Sequence, residues 1–173
     1  MTNTLTYKPL TYRHAAVLLL ALFLVWSVGI GFFMSHTNAA ALNTLSDTLS
    51  DSDTGVVANH TIVFSTPNGI SNGSTTTVTL PADFVLPALS HADIDVASTT
   101  DFTVGDSCLA GDQIGFTTSS GADAATVLTF TFCSGDGGSM LASTTLTIEI
   151  GSNATAGSSS LAQITNPTST GSL

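Results

Sequence analysis

The chain has 173 residues and a formal net charge of −10, and its only basic residues are Lys8 and Arg13. From His14 to Leu173 there is no Lys or Arg, which excludes nucleic acid as a partner, because phosphate binding needs clustered cations to release counterions. Anionic lipid headgroups are disfavoured on the same ground, and the negative charge suits a soluble, exposed surface.

Both cations fall in residues 1–14, just ahead of the uncharged run Ala15–Met34. At about 1.5 Å per residue this 20-residue run spans roughly 30 Å, the thickness of bilayer hydrocarbon. Basic residues stay on the cytoplasmic side of such a segment. The expected topology is therefore a single-pass membrane protein, with residues 1–14 cytoplasmic, 15–34 transmembrane and everything after Met34 extracellular. Signal-peptide cores are shorter, about 7–15 residues, so a retained anchor is expected. The flank SHTNAAA also offers Thr37-Asn38-Ala39 or Ala39-Ala40-Ala41 to signal peptidase, and cleavage there leaves a secreted domain. A pilin-type leader needs a Glu just inside the mature start, and Glu149 is the only Glu in the chain.

Residues 35–57 read as a juxtamembrane spacer. They contain the repeat TLSD-TLSD, and Leu42, Leu45 and Leu49 suit one helical stripe, interrupted by Ser and Asp. This is either a short helix or a polar stalk. From residue 58 the pattern changes to short alternating runs bounded by Gly, Asp, Asn or Ser: HTIVFST, STTTVTL, HADIDVAS, DFTVG, QIGFTTS, VLTFTFC and STTLTIEIG. The class is all-β, with a sandwich or small barrel over 58–173. Pro81 and Pro87 keep the segment DFVLPAL off a central strand. Ile94 and Val96 are expected on one face of their strand, with Asp93 and Asp95 on the other. The expected core comprises Phe64, Val78, Leu80, Phe84, Val85, Phe102, Phe116, Val127, Leu128, Phe130, Phe132, Leu146, Ile148 and Ile150. Residues 160–166 are expected to lie extended beside TLTIEIG, with Pro167 ending the pairing.

Cys108 and Cys133 are the only cysteines. In an oxidising compartment an even pair forms a disulfide, and closing a loop of this length contributes roughly 3 kcal/mol. Zinc is disfavoured because the pair lacks nearby His, and a catalytic thiol because no basic neighbour lowers its pKa. Asp106, Asp112 and Asp136 flank strands and are candidate calcium ligands, but no EF-hand spacing is present and Asp in turns is ordinary. Asn59, Asn72 and Asn153 begin glycosylation sequons at expected surface positions. His14, His36, His60 and His91 fit no ligand spacing, and His60 and His91 are expected on exposed surface. No G-x-S-x-G elbow supports a hydrolase. No catalytic site, metal or other cofactor is expected.

Four phrases, taken in order, carry a resemblance. They are NHTIVFSTPNGISNGSTTTVTLPADF (59–84), VLTFTF, LASTTLTIEIG and ITNPTSTGSL. Together they resemble the immunoglobulin-like β-sandwich modules of bacterial and archaeal cell-surface proteins, most closely the anchored surface proteins of candidate-phylum bacteria. The likeness covers about residues 42–173 and implies an antiparallel sandwich without catalytic chemistry. In such modules N-P-x-x-x-G leads into a final strand, whereas here the sequence stops at Gly171-Ser172-Leu173, so a sandwich short of its last strand is expected. The implied role is adhesion or envelope structure, with surface glycans or other envelope proteins as partners beside the membrane itself. A carbohydrate-binding module and a filament subunit built by strand addition are the alternatives. Against the first, Trp26, Tyr7 and Tyr12 all lie at or before the membrane segment, leaving no Trp or Tyr for sugar stacking.

Overall fold

The structure is a computed structural model that describes Tyr12, His14, Ala16, Val17, Leu19 and Leu20, and residues 42–121, 125–155 and 162–169. The chain divides into two compact units, Met1–Ala39 and Ala40–Leu173. In the first, the six described residues are helical. Among the described residues no helix is long and apolar enough to cross a membrane. Most of Ala15–Met34, both cations and the tail beyond residue 169 lie outside the described residues.

The second unit is all-β. Its strands are β1 (Asn43–Leu49), β2 (Val57–Ala58), β3 (His60–Ser65), β4 (Thr75–Leu80), β5 (Ile94–Ala97), β6 (Asp101–Phe102), β7 (Val104–Gly105), β8 (Ile114–Ser120), β9 (Thr126–Phe132), β10 (Thr145–Ile150) and β11 (Ile164–Thr165). One sheet has the order β1-β3-β10-β5-β6 and the other β4-β9-β8-β7, while β2 and β11 form a small ribbon. The chain changes sheet between β3 and β4, β4 and β5, β6 and β7, and β9 and β10. These crossings bring both sheets onto one apolar core, the layering of a β-sandwich.

Period-two alternation builds that core. β3 buries His60, Ile62 and Phe64; β9 buries Leu128, Phe130 and Phe132; β10 buries Leu146, Ile148 and Ile150. One ring pair joins the layers from within, Phe102 of β6 meeting the edge of Phe132 of β9 at 6.2 Å, while Phe116 and Phe130, cross-strand neighbours on β8 and β9, lie 5.3 Å apart within one sheet. Turn chemistry closes the connections. Gly69, at φ +72°, follows Asn68 in the turn after β3, and its N–H donates to Thr66 O.

Several expectations are corrected. The stretch after Leu42 is neither helix nor stalk, because β1 pairs antiparallel with β3 from Asn43↔Ser65 to Leu49↔His60. Ser and Asp, poor in helices, are tolerated on a strand whose two faces are open. The domain therefore begins well before residue 58. Residues 164–165 pair with β2 and not with β10, which is already flanked by β3 and β5. The β11–β2 ladder ends at Thr165, two residues before Pro167, and backbone bonds continue past it, from Asn166 N–H to Val56 O and from Gly55 N–H to Pro167 O. Val85 is exposed: its half-buried neighbour Phe84 packs against the core, and extended chain turns Val85 outward, where it bridges to Thr165. Val127 is half-buried by the same alternation. Residues 91–93 form a 3₁₀ turn, with Ser90 N–H and Oγ–H donating to Asp93. Asp93 and Asp95, expected on the face opposite Ile94 and Val96, are both buried. Finally, the sheets are not wholly antiparallel, since β7 runs parallel to β8. The loop between them doubles back, and Gln113 and Ile114 N–H both donate to Thr103 O.

On β10, Glu149 stands directly opposite Asp95. Its carboxyl is held above the usual value of 4.5, first by desolvation and then by the charges of Asp95 and Asp101. A raised folded-state pKa means that the folded protein holds the proton more tightly than the unfolded chain. Stability from this group is therefore present below pH 4.5 and lost as pH rises through the folded value. Glu149→Gln is expected to stabilise the domain at pH 7 by roughly 0.2–1 kcal/mol, the scale of a like-charge cross-strand pair. Thermal melts should show that gain at pH 7 and its disappearance below pH 4.5.

Candidate functional site

The disulfide pair lies at one end of the sandwich. Cys108 sits in the exposed loop after β7, and Cys133 is buried directly after β9. Their sulfurs are 2.09 Å apart and their Cα atoms 5.3 Å apart, inside the range of about 4.4–6.8 Å that a bridge requires. Gly115 lies beneath the bridge, where an added Cβ would come within 3.2 Å of the Cys108 sulfur.

The same end holds a half-open cleft of about 180 Å³. Ser98, Thr99 and Thr100, from the β5–β6 turn, form one wall. Gly137, Ser139, Met140, Leu141 and Thr144, from the β9–β10 connection, form the other, with Phe102 and Gln113 also lining the space. Gln113 ties the cleft to the bridge: its side-chain oxygen accepts from Thr103 N–H, and its carbonyl accepts from Cys133 N–H. The connection fits only because residue 138 is glycine, since a Cβ there would strike Gln113 O and Cys133 N. Ser143, close by, takes a positive φ of 59°, uncommon for a non-glycine residue, and its N–H donates to Thr66 O. No lining residue is ionisable, so the cleft offers hydroxyls, one amide and the apolar Leu141 and Met140. Its chemistry suits a small neutral polar ligand and supplies neither nucleophile activation nor proton transfer.

The three candidate calcium ligands do not converge. Asp106 accepts from His91, with Nδ1 at 2.8 Å and the backbone N–H at 3.3 Å. That bonding holds the Asp106 carboxyl below its ordinary value of 3.8. Asp112 folds back to accept from Leu109 N–H, and Asp136 is exposed on the β9–β10 connection. Among the described residues, no group of three or more His, Cys, Asp or Glu side chains is placed to hold a metal ion.

The three sequons separate as well. Asn59 and Asn153 are structural rather than free surface amides. Asn59 Nδ2 donates to Ser152 Oγ, and its oxygen accepts from Ser152 N–H and Gln163 Nε2. Asn153 Nδ2 donates to Thr61 Oγ1 and His60 O. Both asparagines fasten the β2–β3 region to the chain after β10. Asn72 alone sits on an exposed turn, ahead of β4.

His60 departs most from expectation. It is fully buried, on the inward face with Ile62 and Phe64, opposite both Leu49 and Ile150 and against the ring of Phe84. Its Nδ1 lies 2.8 Å from Asp47 Oδ2, while its Nε2 has no hydrogen-bond partner among the described residues. Only the strand register reveals the pair; the TLSD repeat that supplies Asp47 gave no sign of it. Asp47→Ala leaves a buried ring with neither nitrogen bonded, and is expected to cost about 1–3 kcal/mol. Urea titration should show a lower midpoint with an unchanged slope.

Compared with known proteins, the chain matches no family model, no curated protein and no solved structure.

Proposed function

We propose that this chain is a membrane-anchored, non-enzymatic surface protein, in which an immunoglobulin-like sandwich is held outside the cell for adhesion or envelope structure. One observation carries the reading: Lys8 and Arg13 precede an apolar run of membrane length, and no cation follows it. The cysteine pair at bridging distance suits an oxidising exterior. In the first unit, the described helical residues Val17, Leu19 and Leu20 are exposed, as side chains facing lipid would be. N-terminal sequencing of protein from the membrane fraction tests the anchor. A start ahead of Ala15 is expected, and a start near Ala40 or Leu42 would replace the anchor by a cleaved signal and a secreted domain.

The uncharged, hydroxyl-lined cleft favours a second reading, in which adhesion is to a neutral sugar. Hydroxyls and an amide satisfy sugar hydroxyls, and Leu141 offers an apolar face. The absence of Trp and Tyr after the membrane segment counts against tight binding. A glycan array probed with the purified protein should show micromolar binding under this reading, and abolition by Gln113→Ala would locate it.

A further inference from the structure

Among the described strands of four residues or more, β1 is the only one that buries none of its side chains: six are exposed and Leu49 is half-buried. It is held to the domain by its ladder with β3 and by few side-chain contacts. Asp47 meets His60, and Thr44 Oγ1 lies 3.5 Å from Ser65 Oγ at the far end, where a bulge interrupts the register. Immediately beyond β1 the chain is fastened. Ser50 N–H donates to Asn59 O, and Ser50 Oγ accepts from Asn59 N–H. The buried Asn166 then donates to the carbonyls of Asp51 and Asp53, and Gly55 N–H donates to Pro167 O. The chain can therefore open at Leu49–Ser50 while residues 51–56 stay fastened, and the one fully buried side chain it unpairs is His60.

The geometry points to β1 as an exchangeable strand, with the β1 of a second copy of this chain as its replacement on β3. An opened β3 edge presents unpaired backbone groups and the uncovered His60, and so accepts an added strand. The occupant is specified by the register already present. β3 is complementary to the sequence NTLSDTL, including an Asp opposite Ile62 that reaches His60. A second copy carries that sequence and restores every bond, so reciprocal exchange gains and loses the same contacts and closes a two-fold dimer. Because β1 contributes no side chain to the core cluster, opening uncovers only the half-buried Leu49 among its own apolar side chains. The Asp47–His60 pair is the latch. The exchange extends the proposed envelope role by naming a partner, and it holds or fails whether or not the chain is anchored.

Ser46 and Val63 are register partners, so thiols placed there meet only when a β1 lies on a β3. Full-length Ser46→Cys chain carrying a mass tag is mixed in detergent with untagged Val63→Cys chain, incubated at high concentration and oxidised. Thr77→Cys, an exposed position on β4, replaces Val63→Cys as the control. The expected result is about tenfold more tagged heterodimer with Val63→Cys than with Thr77→Cys, because strand exchange holds the thiols at high effective concentration. Asp47→Ala in the tagged chain should speed its appearance by several fold, as the latch is lost. Equal yields from the two pairings would overturn the proposal. So would failure of the double variant Ser46→Cys/Val63→Cys to bridge within one chain at high dilution, which would deny the register itself.

Discussion

Replacing Phe130 with alanine is expected to remove about 3–5 kcal/mol of stability. Phe130 is fully buried at the middle of β9, which is flanked by β4 and β8. Its ring packs 5.3 Å from that of Phe116 on β8. Removing it leaves a cavity between two sheets whose backbones are fixed by their ladders, so the site collapses little. Against a total stability of about 5–15 kcal/mol, such a loss leaves the fold marginal. Urea titration should show a strongly lowered midpoint. Phe130→Leu, which retains most of the volume, should recover much of it. A loss below about 1 kcal/mol for the alanine variant would mean that the two sheets do not share the core described.

The second large effect is expected on removing the bridge. Cys108 and Cys133 close a loop with a sequence separation of 25, and opening it is expected to cost about 3 kcal/mol. Cys108 is exposed, so a reductant reaches the bond without prior unfolding. Reduction, or Cys108→Ala with Cys133→Ala, should lower the melting temperature while leaving far-ultraviolet dichroism intact at room temperature, because the Phe- and Ile-rich core remains. The cleft should loosen along with it, since Gln113 bonds to Cys133 through its carbonyl and lines the cleft. No difference in melting temperature between oxidised and reduced protein would contradict a bridge in the folded protein.

The two predictions draw on features that sequence reading reached. Alternation in VLTFTF and TLTIEI marks β9 and β10 because both are central strands with one face on the core, where a period of two cannot be mistaken. The cysteine pairing followed from counting. What was not legible depended on long-range register. β1 buries no side chain, so its sequence carries no strand-like alternation, and three leucines at helical spacing pointed elsewhere. His60 reads as a polar residue opening a strand, and only its place between β1 and β10 encloses it. Asn59, Asn153 and Asn166 look like ordinary turn asparagines. Their amides instead tie segments about a hundred residues apart, a role fixed by the tertiary fold alone. The cleft assembles two loops with no motif between them, so composition held no signal for it.

The central claim is that the domain from residue 42 onward is displayed outside the cell while residues 1–14 remain inside. Treatment of intact cells with a non-specific protease tests it most directly, because trypsin has no Lys or Arg to cut after Arg13. The account predicts that peptides from 42–173 are released before lysis, while the segment holding Lys8 and Arg13 becomes accessible only after it. Protection of the domain until the cells are broken would contradict export, and with it the proposed role.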